Sequence, residues 1–150
     1  MINYMIKEDY VSFETAKLLK EKGFDVRCNT YYISDNEIAA LPITRDFNNH
    51  GIYLSAPTLQ TAMKWLREEK NLYIYIEPVE LCLSEGKILT DNEDIRSATE
   101  LELQLGFRYN IINSNNYSED DVLSGSYIGD FIKYEDAVEA AIKYCLTHYV

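Results

Sequence analysis

Hydrophobic positions repeat along the chain with two different periods, and the change from one to the other marks out its elements. Phe13, Ala16 and Leu19 recur every three residues, with Leu18 widening the stripe. That spacing predicts a helix over about residues 12–22. Ser12 is a suitable N-cap, and Glu14 places negative charge in the first turn. Gly23 supplies a left-handed stop, after which Phe24 can fold back on Leu19. Leu59, Ala62, Met63 and Leu66 form a second core-facing stripe. Its helix starts near Ala56-Pro57-Thr58 and runs to about Lys70, where Asn71 can end it. Val138, Ala141, Ile142 and Cys145 mark a third helix over about residues 135–146.

Between the helices the period drops to two. Asn29 to Ile33 reads as a strand, Ser34-Asp35-Asn36 as a turn, and Glu37 to Ile43 as a weaker strand with Pro42 at an edge or end. A turn at Asn48-Asn49-His50-Gly51 leads into Ile52-Tyr53-Leu54. Leu72 to Glu77 forms another strand, closed by Pro78. Val79 to Leu83 reads as a short strand, Glu85-Gly86-Lys87 as a turn, and Asp91 to Asp94 as the start of a helical turn carrying Ile95 and Ala98. The clearest strand follows. Leu101, Leu103, Leu105, Phe107, Tyr109 and Ile111 lie on one face, and Glu102, Gln104, Gly106, Arg108 and Asn110 on the other. A helix through Gly106 is the weaker alternative. Asn113 to Asp121 is a polar loop, and Tyr127 to Lys133 a last strand.

The order α-β-β-α-β-β-β-α, with short polar turns, predicts an α+β fold: a mostly antiparallel sheet covered on one face by about three helices. Residues 1–150 form one domain, the usual size for a single core.

Composition changes this picture in two places. Thirteen tyrosines against five Phe and one Trp suit a sheet with one wetted face, since a ring can be buried while its hydroxyl is not. The net charge of −11 sits almost wholly in the second half: residues 1–75 hold ten acids and nine bases, residues 76–150 fifteen acids and five bases. Such a chain is unsuited to direct nucleic-acid contact or to anionic membrane surfaces, which need clustered Lys and Arg. Cys28, Cys82 and Cys145 show neither disulfide nor zinc spacing. The early charges at the N-terminus and the lack of a long apolar run point to a reducing cytoplasm.

Candidate chemistry is sparse. Trp65 lies about 110° from the centre of its helix stripe, so it reads either as a ring capping the core edge or, with neighbouring Arg67, as a partner-binding anchor. Asp91-Asn92-Glu93-Asp94 and Glu119-Asp120-Asp121 read as solvated loops; neither has the ligand spacing and glycine of a calcium loop. His50 and His148 stand apart in sequence, and Ser124-Gly125-Ser126 is not a phosphate loop. No residues are assigned as catalytic, cofactor-binding or metal-ligating. Twenty-five acids allow many carboxylate pairs, which letters alone cannot tell from a charged surface.

Three stretches carry a resemblance: Val11 to Phe24 (VSFETAKLLKEKGF), Ser55 to Gln60 with Lys64 to Glu68 (SAPTLQ, KWLRE), and Tyr134 to Leu146 (YEDAVEAAIKYCL). Together they resemble short proteins from phages and prophage-like elements of gut Bacteroidetes. The resemblance implies a mobile-element setting inside a bacterial host cell, and no activity, cofactor or site residues. Residues 78–100 make the chain longer than typical members, as an insertion would. The expected function is a non-enzymatic protein-interaction module with an unidentified protein partner or a second copy of itself. An acidic mimic of nucleic acid that occupies a host protein's basic groove is the alternative, followed by a small-molecule binder or enzyme.

Overall fold

The computed structural model describes residues 7–116 and 129–150. Local cues set the helices. In α1 (Phe13–Glu21), the Ser12 hydroxyl accepts the Thr15 N–H, and beyond Gly23 (φ +85°) the Phe24 N–H returns to the Leu19 carbonyl at 2.9 Å. Thr58 caps α2 (Leu59–Lys70) in the same way, so Pro57 precedes the helix instead of opening it, and Asn71 ends it in the left-handed conformation. Three further elements complete the first half: β1 (Cys28–Ser34), β2 (Glu37–Arg45) and β3 (Leu54–Ser55) pair antiparallel in the order β2-β1-β3.

The second half is built on a long ribbon. β4 (Leu72–Ser84) pairs antiparallel with β6 (Glu102–Asn113) from Leu72↔Asn113 to Leu83↔Glu102; β5 (Lys87–Ile88) and β7 (Asp130–Phe131) flank them in the order β5-β4-β6-β7. The fold is α+β with antiparallel strands, as expected, and among the described residues the strands divide into two sheets instead of one. The strand expected to close at Pro78 instead continues through it, joining the Val79–Leu83 segment. β5 pairs with β4 at Leu83 and Ser84, so among the described residues β4 has no second neighbour at Pro78. A residue without an N–H is tolerated on such an edge. The helical turn after Asp91 is a fourth helix, α3 (Asn92–Ser97), capped by the Asp91 carboxylate. Residues 78–100 thus comprise the outer part of β4, β5 and α3. The expected strand from Tyr127 begins outside the described residues, as do Glu119 to Asp121 and Ser124 to Ser126.

One core joins the two sheets to the helices. α4 (Tyr134–His148) buries Val138, Ala141, Ile142, Cys145 and Leu146 against α1, α2 and the inner part of the ribbon. Its tie to α1 is polar. One Glu139 carboxylate oxygen accepts the Ser12 N–H at 3.2 Å and the hydroxyls of Ser12 and buried Thr15.

Candidate functional site

The ribbon changes its covered face along its length. Residues directly opposite in an antiparallel pair share a face, so Ile74, Ile76, Tyr109 and Ile111 form one inner face, packed on the core. The same face continues outward as Phe107, Leu105 and Leu103, and there it opens. Leu103 is 62% exposed and Leu105 63%, with Leu101 at 49% just before the strand. On the opposite face the order reverses. Tyr73, Tyr75 and Ile112 are exposed near the core, whereas Leu81 and Leu83 at the outer end are 2% exposed.

The switch falls at Gly106, which faces Val79 across the pair. The Leu81 side chain lies over Gly106 so closely that a Cβ there would overlap it and stand 2.8 Å from the Phe131 carbonyl. Beside the switch runs a polar row. Arg108 donates from Nε to Asp130 Oδ1 at 3.0 Å, and Asn110 donates to Glu77 at 3.2 Å.

The outer ribbon thus shows Leu103 and Leu105 on β6, with Leu101 just ahead of it, set in a strongly acidic segment. Residues 77–102 hold eight acids, with Lys87 and Arg96 as their only bases. Of those acids, Glu80, Glu85, Asp91, Glu93, Asp94, Glu100 and Glu102 are exposed.

The residues singled out from sequence are not part of this face. Trp65 is 4% exposed, with its ring edge-on to Phe24 at 5.4 Å and Lys70 Nζ 4.9 Å from its centroid. Its anchor reading is therefore corrected to core packing. The flank of α2 that the helical wheel leaves open is closed by Phe24, delivered there by the turn at Gly23. Arg67 is exposed, whereas the Trp65 ring is buried. His50 hydrogen-bonds through Nδ1 with the Asp46 carbonyl, and His148 stacks on Tyr144 at 3.9 Å. Burial holds the Cys28 thiol up at about 11, helped by Asp46, and the Cys145 thiol at about 12. Neither is a ready nucleophile. Among the described residues no three His, Cys, Asp or Glu side chains are grouped to hold a metal ion, and no helix is long and apolar enough to cross a membrane.

The alternation in the sequence puts Leu101 to Ile111 on one face without saying which part of that face is covered. The signal that Leu101 to Leu105 differ was the acidic segment ahead of them. Comparison of the chain with protein-family models, curated proteins and solved structures finds no match.

Proposed function

We propose that the chain is a non-enzymatic interaction module that docks a protein partner on the leucine face of the outer ribbon. The observation that carries this is the exposure of Leu103 and Leu105 on the very face whose inner residues, Tyr109 and Ile111, are buried. Contiguous apolar surface of this kind is costly in water and marks association sites. Its acidic surroundings select the partner's chemistry: an apolar stripe flanked by Lys or Arg. A second copy would set acid against acid, so the charge favours a different protein over self-association. The likeness of three stretches to phage and prophage proteins supports a mobile-element role in a bacterial cytoplasm.

A photo-crosslinking residue at position 103, with one at exposed Lys20 as control, tests the reading in cells. The expected adduct forms from position 103, persists when the control gives none, and disappears on Leu105→Glu. Equal crosslinking from both positions, or an adduct indifferent to Leu105→Glu, overturns it. The mass of the purified chain separates the two partner classes, a monomer being expected.

A further inference from the structure

A second feature lies in the other sheet. β1 and β2 pair as Thr30↔Ala40 and, two residues earlier on β1, as Cys28↔Arg45. β2 therefore carries three extra residues at that point, a bulge across Leu41 to Thr44 opposite Asn29. Bulges re-aim side chains, and this one brings Arg45 to the same cavity as Arg27. Arg27 Nη2 donates to the Thr44 carbonyl at 3.0 Å, which fastens the bulge.

The turn beyond it is also fastened. Asn48 donates to the Phe24 carbonyl at 2.8 Å and accepts the Ser55 N–H at 3.0 Å. The Asp46 carboxylate accepts from both the backbone and the side chain of Asn49. His50 holds the Asp46 carbonyl through Nδ1, leaving Nε2 as its other ring nitrogen. A cavity of about 540 Å³ is lined by Asp25, Arg27, Arg45, Asp46 and His50. A second, of about 440 Å³, shares Arg45, Asp46 and His50 with it and is walled by Tyr31, Phe47 and Tyr53. Both volumes fall in the range of small-molecule sites.

Tyr31 stacks on Phe47 at 4.6 Å and meets Tyr53 at 4.8 Å, and Tyr53 is exposed. Neither Arg27 nor Arg45 makes an ion pair among the described residues. The cavity thus brings together two guanidinium groups that are both exposed. Asp25 and Asp46 oppose an anion there, but Asp46 is already engaged by Asn49.

We infer that this double cleft binds a small molecule made of a flat aromatic ring and an anionic group. The guanidinium groups take the carboxylate or phosphate, and the ring extends the tyrosine stack at Tyr53. This site is independent of the leucine face.

Calorimetric titration of the full chain with adenosine monophosphate and with indole-3-acetate tests the inference and distinguishes phosphate from carboxylate. Inorganic phosphate and adenosine serve as half-ligand controls. At least one whole probe should bind, at least about tenfold more tightly than either half. Arg45→Ala should weaken it about tenfold or more, and Tyr53→Leu severalfold. Both side chains are exposed, and amide spectra of the variants check that the fold is kept. No binding by either probe at millimolar concentration overturns the inference. So does binding unchanged by both substitutions, or inorganic phosphate binding as tightly as the whole probe.

Discussion

Glu139 acts on α1 as a cap supplied from another helix. Its oxygen receives the Ser12 N–H and two hydroxyls, one belonging to fully buried Thr15. It also places negative charge at the positive end of the α1 dipole. Removing the carboxylate takes the acceptor from the Ser12 N–H and the buried Thr15 hydroxyl, while the Ser12 hydroxyl keeps Thr15 Oγ1 within 3.2 Å. Glu139→Ala should therefore lower stability by about 2–4 kcal/mol, measured by urea unfolding, while Glu139→Gln, which keeps an acceptor, should cost less. Gly106 is bound by a steric limit instead. Its backbone has no positive φ, so the demand is for space: a methyl group would overlap Leu81 and crowd the Phe131 carbonyl. Gly106→Ala should cost about 1–3 kcal/mol through overpacking. Combined with Leu81→Ala, the two losses should sum to less than their separate values, because the new methyl group takes up space that the smaller side chain leaves.

At the scale of elements, what was legible was local. Ser12 fixes a helix start through its own hydroxyl, Gly23 and Asn71 fix helix ends through their own left-handed backbone, and these cues read correctly without any knowledge of neighbours. Trp65 did not read that way, because the residue that buries it, Phe24, comes from a different element. The candidate site was half legible for the same reason. Leu101 to Ile111 keep one alternation throughout, and period-two spacing says which residues share a face but not where the helices covering it stop. The bulge that unites Arg27 with Arg45 left no mark either, since three extra residues in β2 look like ordinary strand. A paired substitution tests the change of face in the ribbon. Leu81→Ala should cost about 2–4 kcal/mol by opening a cavity, whereas exposed Leu103→Ala should stay within about 0.5 kcal/mol. Equal losses in urea unfolding would mean that the two leucines are equally buried.

For the molecule as a whole, the charge and the buried thiols act in the same direction at alkaline pH. Burial lifts Cys28 from 9.0 to about 11, Cys145 from 9.0 to about 12, and Tyr109 from 10.0 to about 12. Each group is neutral when protonated, and the folded chain holds its proton to higher pH than the unfolded chain does. The unfolded state therefore binds fewer protons between about pH 9 and 12, and stability falls as pH rises through that window. Below about pH 8 this contribution is fully present. Above it, every proton lost adds to a surplus of 11 negative charges, so self-repulsion deepens the loss. Cys145 alone should contribute about 1–2 kcal/mol of the fall by pH 10.5. Urea midpoints at pH 7, 9 and 10.5 measure the decline, and Cys145→Ala supplies the internal comparison. That variant begins less stable at pH 7, because it leaves a small cavity against the ribbon. It should then lose less between pH 9 and 10.5 than the parent chain, since one titrating thiol is gone. Parallel declines in the two proteins would place the alkaline sensitivity in the surface charge and not in the core.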